Sequence, residues 1–223
     1  LAPVALGAML LILLVDIQIS ILYSLIFSVC IGLLTGDLDV FIYSLAANLS
    51  AIYLVSNYRD RIALFKGGLL VGLVNTFMLI SLALCSAEIS IFSMDRIVQF
   101  GGGFSSGILS AILASLFLPV LEYLFKITTD FRLLELSNLN KPILRRLAVE
   151  APGTYHHSIL VGTLAEAAAE SIGANTLLAR VGAYYHDIGK LKTPAYYVEN
   201  QIYESNKHEK LSANMSSLIL ANH

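Results

Sequence analysis

Two short segments, residues 154–160 (TYHHSIL) and 183–190 (AYYHDIGK), contain three of the five histidines of this 223-residue chain. His186 directly precedes Asp187, and His157 lies in the upstream segment. Imidazole and carboxylate groups together suit Mn, Fe or Zn as ligands. The pattern therefore predicts a metal site that includes His157, His186 and Asp187, with Lys190 just after the His-Asp pair.

Two helices are predicted to carry these side chains. The first runs over residues 154–172 and is capped by Thr154, and the second runs over residues 175–188 and is capped by Asn175. Gly173 between them is typical of a helix end.

The predicted helices place the candidate ligands at helix ends. His157 falls in the first turn of one helix, where it shares a face with a core stripe of Val161, Leu164 and Ala168. His186 and Asp187 fall in the last turn of the next helix. Two helix ends that face each other would bring the three side chains together.

The composition is too apolar for an ordinary soluble domain. Charged residues make up 13% of the chain, against about 25% in average soluble proteins. Residues 1–121 contain four basic and six acidic residues, whereas residues 122–223 contain ten of each. The first half is therefore expected to face lipid and the second half water, and the absence of a basic run excludes a surface for a nucleic acid polymer.

Four segments are apolar over about the 20 residues that a membrane span requires, and a shorter fifth one opens the chain at residues 2–15. We expect a transmembrane bundle of about five helices over residues 1–126, in a chain that is a fragment of a longer protein. The four longer segments are 19–36, 40–56, 64–86 and 103–125.

The basic loop at residues 57–61 (NYRDR) predicts the orientation, because short cytoplasmic loops are enriched in Lys and Arg. Counting spans from it places the water-soluble half in the cytoplasm. Gly103, Gly107, Ala111 and Ser115 form a stripe of small residues, which favours close helix packing within the bundle. A homodimer through this stripe is the alternative.

Residues 127–150 are interpreted as a helical connector. Thr129 is predicted to cap a short helix, and Asn140 a second one with Pro142 in its first turn. Three cations, Lys141, Arg145 and Arg146, are interpreted as an anchor at lipid headgroups, and a role in binding a substrate phosphate is the alternative.

The residues of the soluble half also carry a resemblance. The motifs ITTDFRLLELSN, EAPGTYHHSILVG, LLARVGAYYHDIGK and VENQ resemble those of the HD superfamily of metal-dependent phosphohydrolases. With the preceding bundle, the chain resembles the seven-transmembrane HD-domain family, the PgpH-like cyclic-di-AMP phosphodiesterases of bacteria. The resemblance implies an all-α fold, a multi-pass protein of the cell membrane, and a cytoplasmic HD domain of which residues 151–223 are the truncated N-terminal part.

The resemblance also implies roles for individual residues. His157, His186, Asp187 and His223 would be metal ligands, the last at the end of a helix that Ser212 can cap. Asp187 would bridge two divalent transition-metal ions, with Mn or Fe expected. Lys190 would offset the charge that develops on the substrate phosphate.

Three functions follow as hypotheses. The first is hydrolysis of a cyclic dinucleotide, expected to be cyclic di-AMP, to linear pApA by two-metal activation of water. The second is a membrane receptor whose HD domain binds a nucleotide or a partner without turnover. The third is an HD enzyme that acts on a different phosphate compound, because no element of the sequence identifies the base.

Overall fold

The helices of this chain divide into two units, Leu1–Phe131 and Arg132–His223. The structure, a computed structural model, describes residues 2–56, 61–85, 93–201 and 207–221. These residues form ten α-helices and four 3₁₀-helices and contain no β-strand. The all-α prediction is confirmed.

The first unit contains four helices that are long and apolar enough to cross a membrane. They correspond to the four longer predicted segments, whereas the opening segment forms a helix of nine residues. The basic loop used for orientation lies largely outside the described residues. The helices of this unit are α1 Leu6–Leu14, α2 Ile17–Thr35, α3 Leu38–Val55, α4 Arg61–Cys85 and α5 Met94–Phe125.

Helix α5 begins well before the apolar segment that predicted it. Its first turns contain Asp95, Arg96 and Gln99, and the Ser93 hydroxyl accepts a hydrogen bond from the Arg96 N–H. A polar, capped first turn extends this helix beyond its hydrophobic part. Hydropathy alone could not detect that turn, because its side chains are polar.

The interior of the first unit is built from small residues rather than large apolar ones. Helices α4 and α5 approach so closely that a Cβ atom on Gly107 would lie 2.6 Å from the Cα of Gly72. Gly103, Gly107 and Ala111 all contact α4 in this way. Three of the four residues of the predicted stripe therefore pack within the bundle, as expected where lipid already solvates the large apolar side chains.

Polar side chains inside this bundle were not anticipated from the sequence. Several serine hydroxyls bond to their own helix, as Ser24 does to the Ser20 carbonyl at 2.7 Å. Both polar side-chain atoms of Asn75, and Oδ1 of Asn48, have no hydrogen-bond partner among the described residues. The buried polar residues of the four long helices are Ser20, Ser24, Ser28, Ser44, Asn48, Asn75, Ser106 and Ser110.

Short helices make up the second unit, and α6 begins just before its boundary. Pro142 occupies the first position of α7, as predicted, but the residue before the helix is Lys141 and no side chain caps it. The predicted cap by Asn140 is therefore wrong. The α-helices are α6 Asp130–Ser137, α7 Pro142–Glu150, α8 Pro152–Ser171, α9 Thr176–Tyr185 and α10 Ala213–Leu220, and the 3₁₀-helices are Ile188–Lys192, Pro194–Tyr196, Val198–Asn200 and Lys207–Lys210.

Two apolar clusters hold the short helices of the second unit together. Leu133 of α6 packs against Leu177 and Val181 of α9. Leu144 and Leu147 of α7 are almost completely buried. Tyr155 of α8 and Tyr184 of α9 pack against this second cluster. Burying a leucine side chain contributes about 1.5–3 kcal/mol, so the cluster holds α7 against α8, which carries His157, and against α9.

Candidate metal centre

Helix α8 begins two residues earlier than predicted, with Pro152 at its first position. Thr154 is therefore not the cap but lies within the first turn, where it is fully buried. Its backbone N–H donates to Oδ1 of Asn200 at 3.1 Å. The first N–H groups of a helix have no partner inside the helix, and here a residue from a distant segment supplies one.

The face of α8 that carries His157 is not the apolar core stripe that the periodicity predicted. Leu164 on that face is 72% exposed, and His157 itself is exposed. The buried face instead contains Ser158 and Gly162. The residues on this buried face are small because α9 lies very close to it. A Cβ on Gly162 would lie 2.9 Å from Cδ1 of Tyr184 in α9.

Helix α9 begins as predicted but ends sooner. The Asn175 side chain accepts a hydrogen bond from the Leu178 N–H at 2.9 Å, which confirms the predicted cap. The helix ends at Tyr185, so that His186 and Asp187 follow it instead of forming its last turn. A 3₁₀-helix, Ile188–Lys192, follows them.

The structure fixes the tautomer of His186. Its Nδ1 lies 2.7 Å from the Ala183 carbonyl oxygen. A carbonyl can only accept, so Nδ1 carries the proton, and in the neutral imidazole Nε2 then presents a lone pair. Hydrogen bonding of the remote ring nitrogen to a carbonyl is the arrangement usual for metal-binding histidines.

Three of the predicted ligands converge. The side-chain ligand atoms of His157, His186 and Asp187 all lie within 4.8 Å of one another, and the two imidazole rings are 5.6 Å apart. Asp187 is 3% exposed, which is costly for a carboxylate unless a cation compensates it. Two nitrogen donors and one carboxylate fit a divalent transition metal.

Lys190 partly provides this compensation. Its Nζ donates to Oδ2 of Asp187 at 2.8 Å and to Oε1 of Glu199 at 2.8 Å, and it lies 5.0 Å from the centre of the Tyr197 ring. Burial alone would lower the pKa of Lys190, but the hydrogen bonds and charges of the two carboxylates outweigh it and raise the pKa. The side chain was expected to reach freely for a phosphate, and the structure instead places it between two carboxylates.

The remaining histidines lie elsewhere. His156 is exposed. The Nε2 of His208 lies 3.0 Å from the Tyr196 carbonyl oxygen, and its ring packs edge-on against Tyr196. His223 lies outside the described residues, although α10 before it is capped by Ser212 as predicted.

Three residues beside the site were not predicted to contribute to it: Thr154, Glu199 and Asn200. They are joined by hydrogen bonds across 45 and 46 positions of sequence. Only the VENQ motif pointed to two of them, and it did so through resemblance rather than spacing.

Comparisons with known proteins agree with this architecture. A family model described as a 7TM receptor with intracellular HD hydrolase matches residues 1–129. A model of the HD domain matches residues 154–223.

Two curated relatives match over nearly the whole chain. The cyclic-di-AMP phosphodiesterase PgpH of Bacillus subtilis is 40% identical over 236 residues, which cover 100% of this chain and 32% of that protein. The PgpH of Listeria monocytogenes is 37% identical over 225 residues, which cover 99% of this chain and 31% of that protein. The chain thus spans about a third of the length of these relatives.

Among solved structures, the HD domain of L. monocytogenes phosphodiesterase PgpH is 52% identical, with a TM-score of 0.37 and coverage of 38% of this chain and 40% of that chain. The same domain in complex with cyclic-di-AMP gives a TM-score of 0.37 and covers 39% and 40%. The first family model alone covers more than half of the sequence. The chain therefore belongs to the family of 7TM receptors with an intracellular HD hydrolase domain.

Proposed function

We propose that this chain is the membrane bundle and the first part of the HD domain of a metal-dependent phosphodiesterase that hydrolyses cyclic di-AMP to linear pApA. The observation that carries the proposal is the convergence of His157, His186 and Asp187 in one cluster. The cluster occurs in a chain that, over its whole length, is 40% identical to about a third of a cyclic-di-AMP phosphodiesterase. The full enzyme would be a multi-pass protein of the cell membrane with its HD domain in the cytoplasm.

His157, His186 and Asp187 would bind divalent ions, with His223 as a further ligand. Two ions, expected to be Mn or Fe, would lower the pKa of a water molecule and polarise the phosphoryl oxygens of the substrate. Asp187 can bridge them because a carboxylate offers about four lone-pair positions. In the structure, one of these oxygens, Oδ2, lies 2.8 Å from Nζ of Lys190 and 3.3 Å from Nε2 of His186.

Lys190 would contribute to electrostatic stabilisation of the reacting phosphate. An ammonium group has three donors, and two of them are directed at Asp187 and Glu199. The third can donate to a non-bridging phosphoryl oxygen. A donor held in place before the reaction stabilises developing charge without reorganisation.

A turnover panel tests the proposal. The full-length protein, loaded with Mn²⁺, would be incubated with cyclic di-AMP, cyclic di-GMP and deoxynucleoside triphosphates, and the products separated by chromatography. We expect hydrolysis of cyclic di-AMP to pApA at a higher kcat/KM than for the other substrates. Preferred turnover of another phosphate would overturn the substrate assignment, and a protein that binds Mn²⁺ but hydrolyses none of them would overturn the assigned reaction.

A further inference from the structure

A polar cluster lies one helical turn before His157 and contains none of the three converging ligands. Oε1 of Glu199 accepts two hydrogen bonds, one from the Thr154 hydroxyl at 3.0 Å and one from Nζ of Lys190 at 2.8 Å. The Asn200 side chain accepts from the Thr154 N–H at 3.1 Å and donates to the Thr154 hydroxyl oxygen at 2.9 Å. We call Thr154, Glu199 and Asn200 the polar clamp.

Backbone packing holds the clamp together. Thr154 is fully buried, and both its N–H and its hydroxyl are used by the other two members. A Cβ atom on Gly153 would lie 2.5 Å from the carbonyl carbon of Glu199. Only glycine permits this approach, so the 3₁₀-helix Val198–Asn200 rests directly on the first turn of α8.

The clamp connects the two parts of the chain that provide ligands. From Thr154, one turn before His157, hydrogen bonds lead through Glu199 to Lys190 and from Lys190 to Asp187. A separate polar link, between α8 and α9, is the ion pair of Glu166 with Arg180, at 2.8 Å. That pair lies more than two turns along α8 from His157, so it ties the helices together without reaching the cluster.

We infer that Glu199 is a positioning residue for the metal centre. It holds Lys190 against Asp187 and, through Thr154, fixes the start of α8 that carries His157. The inference rests on the proposed function, because the experiment that tests it measures binding of the proposed metal ion. Residues that orient metal ligands without touching the metal typically change affinity by about 10–100-fold when they are replaced.

The test measures the Mn²⁺ dissociation constant of the full-length protein, stripped with EDTA, by calorimetry. Glu199→Gln keeps the shape of the side chain and removes its charge, and we expect Mn²⁺ binding to weaken about 10–100-fold. Thr154→Val should weaken binding in the same direction, whereas Thr154→Ser, which keeps the hydroxyl, should bind like the wild type. Melting in EDTA shows whether each variant is folded.

Glu166→Gln is the matched control, because it removes an ion pair that also ties down α8, in this case to α9, away from the ligands. It should lower the melting temperature and leave the Mn²⁺ dissociation constant unchanged. Wild-type binding by folded Glu199→Gln would overturn the inference. So would equal weakening by Glu166→Gln, because the clamp would then contribute only to general stability.

The outcomes also separate this inference from the proposed function. If the wild type binds Mn²⁺ but hydrolyses no substrate, the proposed reaction fails, and the clamp is still judged by the dissociation constants. If the wild type binds no Mn²⁺, both are overturned.

Discussion

Replacing Asp187 by Asn tests the metal centre while changing the shape of the side chain very little. Asp187 is 3% exposed, and its Oδ2 lies 2.8 Å from Nζ of Lys190 and 3.3 Å from Nε2 of His186. The variant keeps an oxygen acceptor but removes the charge that attracts both the ammonium group and a divalent ion. Two separate losses are therefore expected, one in folding and one in metal binding.

The folding loss should be the smaller one. A hydrogen bond to a charged group contributes about 1.5–3 kcal/mol and a neutral one about 0.5–1.5 kcal/mol. Exchanging the charged acceptor for a neutral one therefore costs about 1 kcal/mol in metal-free protein. The loss is no larger because Lys190 keeps its ion pair with Glu199. Replacing a residue that merely orients a metal ligand lowers metal affinity by up to about 100-fold. Loss of the carboxylate ligand itself should lower Mn²⁺ affinity by at least about 100-fold, which corresponds to about 2.8 kcal/mol.

Calorimetric titration of Mn²⁺ into EDTA-treated, full-length Asp187→Asn and wild type measures the second loss. Melting curves in EDTA measure the first, with Glu166→Gln as the control for a lost ion pair. We expect a folded Asp187→Asn protein with weakened Mn²⁺ binding and no detectable hydrolysis of cyclic di-AMP. A folded variant with the wild-type Mn²⁺ dissociation constant would refute the assignment of Asp187 as a ligand.

Two further predictions concern stability. Asn75 is 1% exposed and its amide has no partner among the described residues. Asn75→Ala removes that amide without adding volume where α4 meets α5, so it should stabilise the bundle by about 1 kcal/mol; a lower melting temperature in detergent would contradict this. Burial alone would raise the pKa of Glu199, but hydrogen bonds from Lys190 and Thr154 outweigh it and hold the pKa below its ordinary value of 4.5. Because the unfolded state then binds more protons in acid, the contribution of Glu199 is present above pH 4.5 and is lost as the pH falls through the lowered pKa. The difference in melting temperature between wild type and Glu199→Gln should therefore shrink in acid, and a constant difference would count against the ion pair.

Local signals in the sequence predicted much of the second unit. Asn175 and Ser212 cap their helices because their side chains bond to backbone N–H groups three residues ahead, an interaction that needs no tertiary contact. The position of Pro142 in α7 follows from the same local reasoning. Such features can be predicted because both partners lie within one turn of each other.

Features that depend on distant residues could not be predicted in this way. Thr154 has the chemistry of a cap, yet its hydroxyl bonds to Glu199, 45 positions later. The apolar stripe beside His157 suggested a buried face, but the closeness of α8 to α9 requires small residues on the buried side. Hydrophobic periodicity identifies a buried face only when the neighbouring helix is far enough away to leave room for large side chains.

The membrane half shows a second limit of periodicity. In water, apolar side chains pack inside because burial removes them from solvent. Lipid gives no such preference, so small and polar residues occupy the helix contacts of α4 and α5, while Leu116 and Leu124 of α5 are exposed at the surface. The apolar content predicted that these helices exist, but it carried no information about which faces meet.

Helix ends explain why the metal centre forms where it does. The last carbonyl groups of α9 have no partner within the helix, and the Ala183 carbonyl accepts from Nδ1 of His186. This one hydrogen bond satisfies a backbone group and also directs Nε2 of His186 towards Asp187. At the start of α8, the unpaired N–H of Thr154 recruits Asn200 in the same way and draws Glu199 towards Lys190. The groups that complete the helices are therefore also the groups that orient the ligands.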